Sequence, residues 1–219
     1  MTDRDTRRDK DVEIIDISVV ISPGTPVWPG DTPFSCLWTW EMAQGSSVNV
    51  SAVTMSPHTG THADTPLHVS RGAGGSESLP LDAFCGAAIV IDVSSIDGVI
   101  ERDALEVQLG SAFPERVLLK SGMTIADGVF PNRWPTLSTQ CAQWLLTRGL
   151  RLLGVDCPSV DDRDSKTLDV HHALLDHGAC VLENLDLRNT AAGTYVLNAL
   201  PMKVAGLDAA PVRALLTRQ

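Results

Sequence analysis

The sequence predicts a mixed α/β protein: a mixed sheet or barrel-like β core with helices outside it. Three observations carry this. The first half of the chain reads almost entirely as strands and stiff loops. Strands and helices alternate only in the second half, as they do when crossover helices pack on a sheet. There is no internal repeat, and no linker long enough to divide the 219 residues, so residues 12–219 are expected to form one domain with a large core.

Taken in order, residues 1–11 are charged and polar and are expected to be a flexible tail. The stretch lacks the apolar core of a secretory signal. Val12 to Ile21 is rich in Ile and Val and reads as the first strand. From Ser22 to Pro33, four prolines and two glycines in twelve residues exclude regular structure and leave a stiff loop presenting Trp28. Such a loop is either packed by its own tryptophan or offers an aromatic wall to a flat ligand. Leu37 to Glu41 and Val48 to Met55 read as neighbouring antiparallel strands.

After a Gly- and Ser-rich loop at Arg71 to Glu77, Ala87 to Val93 is a continuous apolar run, as in a strand buried on both faces. Glu101 to Leu109 is a short amphipathic helix and Arg116 to Lys120 a strand. Asp127 to Thr136 is a second Pro-flanked loop, carrying Trp134. Ser138 caps a helix that stops at Gly149. Arg151 to Asp156 is a strand, and Asp161 to Lys166 a charged loop of the kind usually solvated. Leu168 to His177 is a helix stopped by Gly178, and Ala179 to Leu182 a strand delivering Glu183. His177 fits the C-terminal end of its helix, where the dipole favours it. Thr194 to Leu200 is expected to be the last strand. Asp208 to Thr217 is expected to be a closing helix, with Asp208 as cap and Pro211 in its first turn.

The composition narrows the function. A formal charge of −10 disfavours nucleic acid, whose phosphates need clustered Lys and Arg. No apolar run approaches the roughly 20 residues of a membrane helix. Five scattered cysteines without a CxxC pair form neither a disulfide framework nor a thiolate zinc knot. They suit buried apolar filler in a reducing cytoplasm.

The chemistry lies in the histidines. All six fall in two short windows: His58, His62 and His68 in one, and His171, His172 and His177 in the other. In an extended strand, His58 and His62 would stand about 13 Å apart, too far to share an ion. The chain must therefore bend between them, and Gly60 permits that bend. His58, His62 and Asp64 can then converge on a divalent ion, with zinc suited to a His/His/carboxylate set. The second window offers Glu183 and either His171 or His172. The two histidines lie about 100° apart on a helix, so one of them faces the site. Asp64, with two oxygens, can bridge to a second ion there, giving a binuclear hydrolytic centre. His68 stands beside the cluster and suits general acid/base work. No G-x-S-x-G elbow supports a serine nucleophile.

The stretch His58-Thr-Gly-Thr-His62-Ala-Asp64-Thr-Pro66-Leu-His68 resembles the HxGTHxDxPxH signature of the metal-dependent cyclase family. Within the family, the resemblance is to the bacterial kynurenine formamidase (arylformamidase) branch. It extends over Asp16-Ile-Ser18, the Thr25 to Pro33 loop, His171-His172 with Glu183, and the run from Leu200 to Arg213.

The resemblance implies a swivelling β/β/α-type fold and a homodimer. It also implies two divalent ions, usually zinc, held by His58, His62, Asp64, His171 and Glu183. The twelve-residue spacing to Glu183 favours His171. His68 would move protons and Trp28 would contact substrate. The expected reaction is cleavage of N-formyl-L-kynurenine to L-kynurenine and formate. Opening of a cyclic amide such as isatin, and metal binding without catalysis, are the rival expectations.

Overall fold

The computed structural model describes residues 12–110 and 113–218; the charged stretch expected to be a flexible tail, 1–11, lies outside the described residues. In chain order, the elements are β1 (Glu13–Asp16), β2 (Ser35–Trp40), β3 (Val50–Thr54), β4 (His62–Asp64), α1 (Pro66–Val69), β5 (Cys85–Asp92), β6 (Val99–Ile100), α2 (Arg102–Leu109) and β7 (Arg116–Lys120). They continue with β8 (Thr136–Leu137), α3 (Thr139–Thr147), β9 (Leu152–Val155), α4 (Asp169–Leu175), β10 (Cys180–Glu183), β11 (Gly193–Asn198), β12 (Ala209–Pro211) and β13 (Leu215–Arg218).

Nine strands form one mixed sheet in the order β1-β13-β11-β5-β7-β9-β10-β4-β12. Its centre, β5-β7-β9-β10, is parallel. Parallel neighbours need crossovers, and here α2, α3 and α4 connect successive strands of that centre. Both faces of these strands are covered, which is why their sequences are continuously apolar. Ile91, Val117, Leu119, Leu153, Val155 and Val181 pack under the helices, against Leu105, Leu145 and Leu174. The alternate residues Val90, Leu118, Leu152 and Leu182 form a second core with Phe84, Tyr195, Leu197 and Leu216.

The sheet is curled. Beyond β1, the chain ties its far parts together: Ile17 N–H donates to Ala214 O (3.0 Å), Asp186 N–H donates to Ile17 O (2.8 Å), and Ser18 bridges Leu185. The barrel-like β core with outer helices thus takes the form of a curled sheet, with α2, α3 and α4 on one face.

The expected closing helix at Asp208 to Thr217 is not formed, and Thr194 to Leu200 does not hold the last strand. The segment supplies β12 and β13 instead. Its Ala and Leu content with an early proline suits a helix locally, but the sheet offers it two long-range pairings. β12 pairs with β4, and β13 lies between β1 and β11. Pro211 then sits on an edge strand, where its missing N–H breaks no ladder, and Leu216 becomes fully buried.

Two smaller differences concern the N-terminal half. Only Glu13–Asp16 of the first apolar run is strand. The cysteines are all free, but Cys36 is exposed on β2 rather than buried. β2 and β3 form an antiparallel arm of their own, exposed throughout and bearing Leu37, Trp38, Trp40 and Val53.

Candidate metal centre

The bend expected at Gly60 is present. Its φ is +70°, a left-handed value that glycine adopts without steric cost. A Cβ here would meet Ile21 Cγ1 at 2.8 Å. After the bend, β4 alternates: Ala63 enters the core, while His62 and Asp64 lie on the opposite face. β10 pairs with β4 so that Glu183 stands opposite His62, at the carboxyl end of its parallel run. Helix α4 lays His171 over this point, buried, whereas His172 is turned out and pairs with Asp176 (3.0 Å). The helical geometry left the two histidines equal; packing of α4 on β10 separates them. The short helix α1, with Pro66 in its first turn, carries His68.

The five residues expected to be ligands come together. His58 Nδ1 lies 3.1 Å from Asp64 Oδ1 and 3.1 Å from His62 Nε2. His62 Nε2 is 3.4 Å from Asp64 Oδ1 and 3.7 Å from Glu183 Oε2. His171 Nε2 is 3.2 Å from Asp64 Oδ2 and 3.3 Å from Glu183 Oε1. Asp64 thus turns one oxygen to His58 and His62 and the other to His171.

The hydrogen bonds behind the rings assign their tautomers. His62 Nδ1 donates to Gly60 O (2.9 Å), and His171 Nδ1 donates to Asp161 Oδ2 (2.7 Å). In the neutral rings, His171 Nε2 is then a lone pair facing the Asp64 and Glu183 oxygens, and His62 Nε2 is a lone pair that accepts from His58 Nδ1 beside the same two carboxylates. Asp64 Oδ1 is buried with no hydrogen-bond partner; His58 Nδ1 is near it but off the hydrogen-bonding line. Converging lone pairs and an orphaned anionic oxygen repel one another unless cations sit among them. This donor set therefore fits divalent ions, with N and O ligands of the kind zinc takes.

Protons compete with such ions. Burial opposes charge on His58, but Asp64 and then Asp208 outweigh it and raise its pKa to about 9. Burial likewise opposes charge on His171, yet Asp161, Asp64 and Glu183 hold its pKa well above the ordinary value. Burial acts to raise Asp64, and the surrounding imidazoles more than reverse it, holding the carboxyl well below the usual range.

Behind the cluster, Asp161 accepts from Val170 N, His171 N (3.0 Å each) and His171 Nδ1. Only 4% of it is exposed, which corrects its reading as part of a solvated charge run. Helix α4 begins at a left-handed Leu168 without a side-chain cap, and Asp161 satisfies its first N–H groups from nine residues upstream. Val160 N–H donates to Glu183 Oε1 (2.8 Å) and steadies that carboxylate.

His68 stands beside the cluster, its ring centroid 4.4 Å from that of His58 and 5.7 Å from that of His171. Its donor atoms lie close enough to group with those of His58 and Asp64, all within 4.8 Å of one another. Burial pushes its pKa below the ordinary imidazole value, leaving it neutral at pH 7.

Asp208 is a further member that sequence reasoning assigned to a helix cap. Its Oδ2 lies 3.2 Å from His58 Nε2 and 3.8 Å from His68 Nδ1. Its carbonyl is held by Thr65 N–H (3.1 Å) and the Thr65 hydroxyl (2.9 Å). The cluster opens into a cavity of about 400 Å³ walled by Trp28 and Phe130. Their rings meet edge to face at 5.5 Å, and Trp134 completes the group 6.0 Å from Trp28. Trp134 Nε1 donates to Asp161 O (3.0 Å), linking the aromatic wall to the support of His171. Phe130 was not singled out in the sequence; its only signal is its place in the second Pro-flanked loop.

The family model for putative cyclases matches residues 15–162. The chain belongs to the cyclase family. A curated relative, the kynurenine formamidase of Bordetella avium, is 42% identical over 201 residues, covering 92% of this chain and 96% of that protein. Among solved structures, a predicted metal-dependent hydrolase from Bacillus stearothermophilus superposes with a TM-score of 0.81 at 26% identity, covering 95% and 99% of the two chains. Isatin hydrolase A from Labrenzia aggregata superposes with a TM-score of 0.77 at 23% identity, covering 94% and 93%, a likeness of fold. In this cyclase-family chain, the matched span holds Trp28, His58, His62, Asp64 and His68. His171, Glu183 and Asp208 lie beyond it and reach the site through α4, β10 and the turn before β12.

Proposed function

We propose that this cyclase-family chain hydrolyses N-formyl-L-kynurenine to L-kynurenine and formate. One observation carries the reading: imidazole nitrogens and the orphaned Asp64 oxygen converge at the floor of an aromatic-walled cavity. The likeness to a kynurenine formamidase over nearly the whole chain supports the choice of substrate.

In this reading, His58, His62 and Asp64 would hold one divalent ion, and Asp64, His171 and Glu183 would hold a second, zinc being the best match to the donors. Such ions supply Lewis acidity, making water ionisable near neutral pH and offsetting negative charge that develops on an amide oxygen. The protein does the rest. Trp28 and Phe130 hold the aryl ring. His68, neutral and close to the cluster, takes the proton of the attacking water as its oxygen bonds to the formyl carbon. It returns that proton to the anilide nitrogen as the C–N bond breaks, so formate and the free aniline depart. Asp208 places a negative charge near His68 Nδ1 that favours its transient protonation.

No described helix is long and apolar enough to cross a membrane, and five free thiols suit a reducing cytoplasm. The partner is a small molecule, and the exposed β2–β3 arm suits a homodimer. Assays of N-formylkynurenine and isatin side by side test the proposal. Formate release should exceed isatin opening by at least about 100-fold in kcat/KM, some 2.7 kcal/mol of transition-state preference. The reverse order would make the chain a cyclic-amide hydrolase. A metal-loaded protein inactive on both would leave metal binding without catalysis.

A further inference from the structure

Asn184 follows Glu183 directly, one Cα step of about 3.8 Å from a member of the cluster. Its backbone is left-handed, with φ +56°, a conformation uncommon for any side-chain-bearing residue. Both backbone groups are pinned. Its N–H donates to Cys157 O (3.1 Å), and its carbonyl accepts from the Thr61 hydroxyl (2.6 Å) just before β4. The residue is 5% exposed, yet Oδ1 is buried without a hydrogen-bond partner, and no described residue accepts a hydrogen bond from Nδ2. Asn184 nevertheless lines the cavity. With Oδ1 sealed, Nδ2 is the atom that faces it. Among the other polar lining groups, Asp31 and Asp208 are carboxyl groups, and Ser56 Oγ and Ser159 Oγ are held in place by accepting from His58 N and Asp161 N, each keeping a single hydroxyl proton. Asn184 offers a neutral N–H pair that no described residue uses.

We propose that Asn184 is a specificity-determining residue that donates a hydrogen bond to the carbonyl oxygen ortho to the scissile formamide. The inference rests on the formamidase reading. An N-formylated 2-acylaniline has two carbonyl groups on adjacent ring positions. The formyl group must lie at the His/carboxylate cluster to be cleaved. The ketone then falls next to it, where a neutral donor serves better than a cation, since it carries no developing charge. Asn184 follows Glu183 and lines the same cavity, which places its carboxamide within reach of that ketone. A purely conformational role for Asn184 makes the opposite demand: glycine would adopt φ +56° at least as well, and loss of the carboxamide would not alter substrate preference.

The test is a preference ratio. kcat/KM is measured for N-(2-acetylphenyl)formamide and for formanilide, which lacks the ortho carbonyl, with wild type, Asn184→Gly and Asn184→Asp. Glycine relieves the backbone; aspartate keeps the shape and removes the donor. Metal content and Tm are recorded for each. Wild type should prefer the ortho-acetyl substrate about tenfold, the upper end of what one neutral hydrogen bond contributes. In both variants that preference should collapse to within about threefold. Persistence of the preference in a folded variant, or its absence in wild type, overturns the inference. Failure of wild type to cleave either formamide overturns the formamidase reading itself, and this inference with it.

Discussion

Asp64 is fully buried, and its two oxygens face different imidazoles, His58 and His62 on one side and His171 on the other. His68 stands apart from that division, and its role is testable alone. His68→Ala should retain its metal and lose about 10²–10⁴-fold in kcat. The pH profile carries the sign. Burial lowers the His68 pKa, so the proton-accepting form dominates at neutral pH. Wild-type kcat/KM should stay level near pH 7 and fall only as pH drops through a value below the ordinary imidazole pKa of about 6.5. An acid limb centred above 6.5 would contradict this. Asp161 acts through His171, holding its Nδ1–H. Asp161→Asn should therefore keep the fold and weaken metal affinity about 10–100-fold, read by competition with a chromophoric chelator. At this scale the convergence of His58, His62, Asp64, His171 and Glu183 was legible in sequence because histidine is scarce and Gly60 marks a bend. Asp161 and Asp208 were not. One sits in a charge run that looks solvated, the other heads a segment that looks helical, and only tertiary packing turns either carboxylate inward.

Elements explain why the histidines and carboxylates of the cluster converge. β4 is only three residues long, and it depends on the turn at Gly60 before it and on pairing with β10 and β12 beside it. Gly60→Ala imposes a left-handed Cβ costing about 1–2 kcal/mol and overlaps Ile21. The expected result is a Tm lower by about 2–8 °C, with His58 displaced and metal affinity reduced; an unchanged melt and affinity would show that the bend is not needed. The central strands were readable because burial on both faces writes a continuous apolar run. The β12–β13 segment was not, since its local preferences point to helix while its pairing partners are far away in sequence: β1 and β4 precede it by most of the chain. The same misreading hid Asp208, whose position depends on β12 entering the sheet beside β4.

At the scale of the whole molecule, a curled sheet carries the site at one end of its parallel strands, and an apolar arm projects from it. Trp38 and Trp40 are each more than half exposed, as is Leu37. Apolar area of this kind marks an interaction surface, and a second copy of the chain is the expected partner. The protein should elute as a dimer, and Trp38→Ser with Trp40→Ser should shift it toward monomer in light scattering; a monomeric wild type would contradict the expectation. Metal bound at the cluster would also stabilise the fold, because a ligand that binds the native state favours it. The proposed activity requires that the buried histidine–carboxylate cluster be a metal centre for aryl formamide hydrolysis. The most direct measurement is formate release from N-formylkynurenine before chelation, after chelation, and after zinc is restored. Turnover should be present at first, disappear with the metal, and recover when about two ions per chain return. Undiminished formate release from protein shown to be free of metal would contradict that requirement.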